Sequence, residues 1–232
     1  MSGFLAPLVI TSVFGGVVSL DRTCFGQFMV SRPIVAAPLL GLLLGYPNEA
    51  VFIGLVYELL FLRSLPVGAH VPYHPLFPSL IAVLITAVTA RFGLGTVQSA
   101  SAAIVLSLPS AVVDRIVDLS WRRSNERLVT RATAYVRLEK FRAARAVHFI
   151  SFGRSFLMNT VSLFLTGIFL VSICSSIFSA FPRFSLLLAG AGVAPFFVGL
   201  AGLTSGKVKG RAWLGFTCGL VAGVLISLGI RL

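Results

Sequence analysis

PIVAAPLLGLLLGYPNEAVFIGLVYELLFLRSLPVGAHVPYHP, Pro33 to Pro75, decides how the rest of the chain is read. Two apolar runs, Pro33–Gly45 and Ala50–Leu62, are joined by a short polar link, and Leu65–Pro75 then brings in three prolines, a glycine and two of the chain's three histidines. Each run is 13 residues long (33 to 45 and 50 to 62), about 20 Å of helix at ~1.5 Å per residue. A bilayer core is ~30 Å thick, so neither run crosses it alone. Lipid offers no partner to a backbone N–H or C=O. Irregular chain at membrane depth therefore has to be buried in protein or to line a wet cavity. Interrupted apolar segments of this kind point to the substrate site of a transporter.

That reading requires a membrane protein, and the composition supplies one. The 232 residues are 57% hydrophobic and 11% charged, against about a quarter charged in soluble domains. Apolar segments are read at Phe4–Leu20, Pro33–Gly45, Ala50–Leu62, Leu76–Ala90, Leu94–Val113, Ser151–Ala180, Phe184–Leu203 and Ala212–Ile230. The expected fold is all-α: a polytopic membrane protein with re-entrant or broken helices. Gly-rich Ala189–Gly206, interrupted by Pro195, is the candidate counterpart of the first broken region in an inverted repeat. Three parts are expected: an N-terminal membrane bundle (1–113), a basic amphipathic segment (114–147) and a C-terminal membrane bundle (148–232).

The net charge of +12 is unevenly spread. Nine of the 19 basic residues lie between Arg115 and Arg145, which the positive-inside rule places in the cytoplasm. No aromatic platform is interleaved with these arginines, so nucleic acid is not the expected partner. Leu128, Ala132, Tyr135 and Leu138 fall at helical spacing, consistent with a helix on lipid headgroups or a docking surface for a soluble partner. Arg122, Arg123 and Arg127 are the candidate docking residues. Asp114, Arg115 and Asp118 read as the end of a membrane helix, and Asp21-Arg22 as a membrane boundary. Cys24, Cys174 and Cys218 are far apart in apolar sequence and read as small core hydrophobes. The N-terminus lacks a basic region and reads as a retained first span.

Glu58, inside GLVYELLFL, is the residue most in need of explanation. An acid in a membrane segment costs about 2.5–3.5 kcal/mol on an insertion scale and is normally functional or paired. It could accept hydrogen bonds from sugar hydroxyls, or it could form an ion pair with a neighbouring arginine such as Arg63. His70 and His74 flank Val71-Pro72-Tyr73 and are either interfacial loop residues or substrate contacts. Two histidines without cysteine or carboxylate neighbours make a poor metal site. Arg32-Pro33 reads as a helix start. Gly215, Gly219 and Gly223, and the shorter pair Gly41 and Gly45, would allow close helix contact. No phosphate loop, HExxH or defensible Ser/His/Asp set is present, so neither catalytic residues nor a cofactor are expected in this chain.

The run from Ser19 to Ala82 resembles the IIC membrane subunit of mannose/fructose/sorbose-type sugar phosphotransferase systems. The landmarks are LDRT, SRPIVAAPLLGLLLG, the glutamate of LVYELL and LPVGAHVP; the LSLPSAVVDRIVD and HFISFGRSF regions are in register further on. The resemblance implies a bacterial inner-membrane subunit that works with a second membrane subunit, IID. Cytoplasmic IIA and IIB would carry the phosphoryl group, and the sugar would be phosphorylated by IIB as it is delivered. It further places Glu58 and the LPVGAHVP loop at the family's site motifs; the candidate substrate contacts are Glu58, His70, His74, Asn48 and Gln27, and a homo- or hetero-oligomer in the bilayer is expected. This chain departs from the pattern at Gly45-Tyr46 and at Tyr73-His74, where relatives often carry acids; sugar specificity turns on these positions. Two other readings remain open: a proton-coupled secondary transporter of a small polar solute, and a membrane sensor that recruits partners without transporting.

Overall fold

The computed structural model describes residues 3–62, 71–90, 96–180, 217 and 221. Among them are seven helices and no strand: α1 (Leu5–Thr23), α2 (Pro33–Leu44), α3 (Pro47–Phe61), α4 (Leu76–Thr89), α5 (Thr96–Ser107), α6 (Ser110–Arg137) and α7 (Phe141–Ala180). Only α1 and α7 are, on their own, both long enough and apolar enough to cross a bilayer. The 12 residues of α2 and 15 of α3 give about 18 and 22 Å of helix, and the 14 of α4 and 12 of α5 about 21 and 18 Å. The first two are the half-length helices expected from the sequence, and α4 and α5 are short as well.

They are arranged as two hairpins. Pro33 and Pro47 each open a helix, where a missing N–H costs nothing. Gly45 closes α2 in the left-handed conformation, φ 86°, and its N–H bonds back to Gly41 O. Few residues other than glycine tolerate that backbone, so the reading of Gly45 as a helix-contact glycine is corrected: it is a turn. Gly41 does lie at a close contact, against Ala50 of α3. Near the hairpin's open end Gly54 faces the Pro33 carbonyl, where an added Cβ would sit 2.6 Å from the oxygen.

The second hairpin, α4–α5, fills the centre. Every residue of α4 is buried, and Leu76, Phe77, Leu80, Ile81, Leu84 and Ile85 are wholly so. Such all-round apolarity marks a helix enclosed by others rather than one facing lipid. Gly15 of α1 faces Leu80 and Leu163, and Gly167 of α7 faces Leu8 and Leu84, so α1 and α7 run antiparallel along α4. Val9, Val13 and Val17 of α1 and Leu157, Val161, Leu165 and Phe169 of α7 point outward. That surface suits a hydrocarbon solvent.

Two expectations are corrected here. Leu94–Val113 is not one segment: the chain breaks at Leu108–Pro109, with a 48° bend between α5 and α6. Nor does a membrane helix end at Asp114–Asp118, since both lie within the 28-residue α6. The basic stretch is the far half of α6 turning back into α7 at Leu138–Lys140. Leu128, Ala132 and Tyr135 are half-buried while Leu138 is exposed, and Ser151 of α7 hydrogen-bonds Asn125 of α6. Cys174 is buried in the core, as read from its apolar setting. Arg63, His70, Cys218, Ala189–Gly206 and the 215/219/223 glycines lie outside the described residues, and with them the second half of the candidate repeat.

Gly54→Ala should destabilise the protein by about 1–3 kcal/mol, because its methyl meets backbone that cannot rotate away. Gly153→Ala, with nothing within 4 Å of the new atom, should not destabilise it. Thermal melts of the two variants in detergent make the comparison.

Candidate functional site

Charged side chains gather at one end of the bundle, where α1 ends, both hairpins open and α6 begins. Asp21 and Arg22 divide the work there. The Asp21 carboxylate accepts from the backbone N–H of Phe28 at 2.7 Å and of Ser31 at 3.2 Å. That folds the α1–α2 link, which passes through left-handed backbone at Gly26, Gln27 and Met29, back onto the helix that precedes it. Arg22 reaches across to α6, 3.1 Å from Asp114 Oδ1 and 3.2 Å from Asp118 Oδ1. Arg122 closes the series, its Nε 3.0 Å from Asp118 Oδ2.

Asp114, Asp118 and Arg122 are spaced i, i+4, i+8 and so share one face of α6. With Arg22 the four charges alternate in sign and sum to zero. Asp114 is fully buried, and such an acid is tolerable only when paired. The sequence does not reveal this network: locally Asp114 and Asp118 read as a helix end, Arg22 as a membrane boundary and Arg122 as a docking residue. The 114/118/122 spacing was the available signal; the 92-residue separation between Arg22 and Asp114 concealed the partner.

The link ordered by Asp21 delivers Arg32 to the start of α2. Its Nη1 lies 3.2 Å from Glu58 Oε1. Glu58 is therefore ion-paired, but across the hairpin with Arg32. The Glu58 side chain is 14% exposed and that of Arg32 45%. The second carboxylate oxygen, Oε2, is buried without a hydrogen-bond partner among the described residues. An unfilled acceptor on a buried carboxylate is uncommon and calls for a donor.

Of the other candidates, His74 is half-buried beside α6. Its Nδ1 accepts from Leu76 N–H at 3.3 Å and stands 3.7 Å from Asp114 Oδ2. A nitrogen that accepts from the backbone has no proton for a carboxylate, and 3.7 Å is too long for a hydrogen bond. We therefore read a neutral ring with its proton on Nε2, and Asp114 as a neighbour rather than an ion-pair partner. Tyr73 offers its ring face to Arg115, 4.8 Å from the guanidinium carbon to the centroid. Of the two places where the chain departs from the pattern it resembles, Tyr73-His74 thus meets α6, whereas Gly45-Tyr46 forms the α2–α3 turn. Gln27 is exposed in the α1–α2 link. Asn48 is exposed at the tip of the α2–α3 hairpin, ten residues and about 15 Å of helix from Glu58. Glu58 and His74 share an end of the bundle; Asn48 sits at the other. Arg122, Arg123 and Arg127 are all exposed on the outer half of α6.

Arg22→Met leaves buried Asp114 without its cation and Asp118 with Arg122 alone, and should cost about 3–5 kcal/mol. The Arg22→Met, Asp114→Asn, Asp118→Asn triple variant should recover a substantial part of that loss in the same detergent melts.

No curated protein matches the chain. A solved chain titled "Structure of membrane protein" is similar at 20% identity with a TM-score of 0.64, covering 100% of this chain and 96% of that one; at this identity the likeness concerns the fold alone. The family model described as "PTS system sorbose-specific iic component" matches residues 5–230. This chain therefore belongs to the sorbose-specific IIC family, the sugar-transporting membrane components of the phosphotransferase system.

Proposed function

We propose that the chain binds a hexose-type sugar at the Arg32–Glu58 end of the α2–α3 hairpin and hands it to a IIB subunit for phosphorylation. The observation that carries this reading is the buried Oε2 of Glu58, which has no hydrogen-bond partner among the described residues. Arg32 fixes the other oxygen, so the carboxylate is held in place with one acceptor still open. A sugar hydroxyl is a donor of the right kind, and a hydrogen bond to a charged group contributes about 1.5–3 kcal/mol. His74, at the same end, is the second contact in this scheme. Gln27, His70 and Asn48 remain candidates along the route.

The docking half of the proposal rests on the helical arm of residues 114–147. At 40 residues α7 is about 60 Å long, twice the hydrocarbon thickness. Its Phe141 end, paired with α6, extends beyond the span. Applied here, the positive-inside rule makes this arm cytoplasmic, and membership of the family supports the bacterial inner membrane as the site. Arg122, Arg123 and Arg127 would then meet IIB, with IID beside the outward apolar faces. The three-part division at 113/114 and 147/148 becomes a division of labour: two membrane parts joined by a docking arm whose root is fixed by Arg22.

Glu58→Gln keeps the shape and removes the charge. It should reduce sugar binding and uptake about 10–100-fold at normal membrane levels. Unchanged uptake removes Glu58 from the site. Uptake abolished by an uncoupler yet indifferent to the phosphocarrier would instead make this a proton-coupled transporter. Arg123→Glu with Arg127→Glu, which leaves Arg122 to Asp118, should weaken IIB binding at low salt, with the difference shrinking as salt is raised. Equal binding at both salt levels excludes those arginines from the contact.

A further inference from the structure

The break between α5 and α6 leaves carbonyls in need of donors, and one of them is served from another hairpin. In an unbroken helix Ile104 O would accept from the N–H of residue 108, and Val105 O from that of residue 109. Residue 109 is proline and has no N–H. Leu108 N–H bonds Val105 O at 3.3 Å instead, which frees Ile104 O. Past the break, Ala111 N–H bonds Leu108 O at 3.0 Å, and Ser110 Oγ bonds Ser107 O at 2.6 Å. Ser107's carbonyl is thus capped locally. Ile104 O is met by the Tyr57 hydroxyl of α3 at 2.7 Å.

Tyr57 is wholly buried, and its oxygen also lies 2.6 Å from Ser107 Oγ. Ser107 Oγ in turn sits 2.6 Å from Ala103 O and 3.3 Å from Ile104 O. Two hydroxyl protons serve this group. When Tyr57 donates to Ile104 O, Ser107 can donate to Tyr57 or to Ala103 O, and the freed carbonyl is satisfied. Without Tyr57 only the long Ser107 contact remains for it, in a medium where an unsatisfied carbonyl is costly.

We infer that Tyr57 is a positioning residue that ties the Glu58 end of the α2–α3 hairpin to the α5–α6 bend, so that hairpin and bend move as one unit. Tyr57 precedes Glu58 in α3, and α6 beyond the bend carries Asp114 and Asp118, which hold Arg22. A change at the Glu58 end is thereby passed to the root of the basic arm through a single hydroxyl. The bend itself is encoded by Pro109 and held by Tyr57.

The test labels Leu55 on α3 and Ile116 on α6, both outward-facing, in a cysteine-free full-length chain in membranes that support sugar uptake. Spin-label distances and uptake kinetics are then measured. Tyr57→Phe should broaden and shift the α3–α6 distance and lower turnover about tenfold while leaving sugar affinity unchanged. Pro109→Ala restores the missing N–H and lets Ile104 O be satisfied within the helix. Alone it should straighten the bend and shift the distance, and in its presence Tyr57→Phe should have little further effect. Ser107→Ala should resemble the unsubstituted protein. The inference is overturned if Tyr57→Phe leaves the distance unchanged, if its effect is independent of Pro109, if Ser107→Ala matches it, or if affinity falls in step with turnover. Should Tyr57→Phe fail to fold, an unchanged distance in Pro109→Ala alone is enough to overturn it. The turnover readout rests on the proposed sugar site, whereas the distance readout needs no sugar; a failed Glu58→Gln test with intact distance shifts removes the site and leaves the tether.

Discussion

The guanidinium of Arg22 between Asp114 and Asp118 is the contact on which the charged end of this protein depends. Three ionised groups at the end of a membrane bundle are each expensive in isolation, and their mutual pairing makes them tolerable. In pairing they fix the end of the first span to the root of α6. Asp21, one residue earlier, orders the link that presents Arg32 to Glu58. Two adjacent residues of one motif thus position both the scaffold and the candidate sugar site. The charged end of the bundle is built outward from the last turn of α1.

A second constraint is the absence of water for the backbone. Half-length helices expose more terminal N–H and C=O groups per residue than full spans do, and every one needs an answer. The answers here are of three kinds. Proline at the first turn removes a donor that had no acceptor, as at Pro33 and Pro47. Glycine at Gly45 turns the chain so that its own N–H meets Gly41 O. Side-chain hydroxyls take what remains, Ser110 locally and Tyr57 from a distance. Broken helices are common at the substrate sites of transporters, and this chain packs its own around α4, which is buried on every side.

Much of the architecture was legible because its signals are local. The short apolar runs, the prolines at helix starts and the uneven spread of arginines each follow from a few neighbouring residues, and all are reflected in the helices. The misreadings also have a common cause. Leu94–Val113 reads as one span because hydropathy does not register that Pro109 denies Val105 a donor. Asp114 and Asp118 read as a helix end because their cation is 92 residues from Asp114. Glu58 was recognised as an acid that is either functional or paired, and the hairpin brings Arg32 to it from a position the local sequence does not suggest.

The sequence by itself determined that this is an all-helical membrane protein with interrupted helices, which family it resembles, and that one acid lies where acids are rarely placed. Composition, period and breakers settle such matters, since lipid as a solvent acts on each segment separately. Only the tertiary structure decided which cation meets which anion, that one Glu58 oxygen has no partner among the described residues, and that Tyr57 caps a carbonyl in another hairpin. Those facts depend on distances between segments far apart in the chain, and hydrogen bonds and ion pairs are set by ångströms that no run of neighbouring residues encodes.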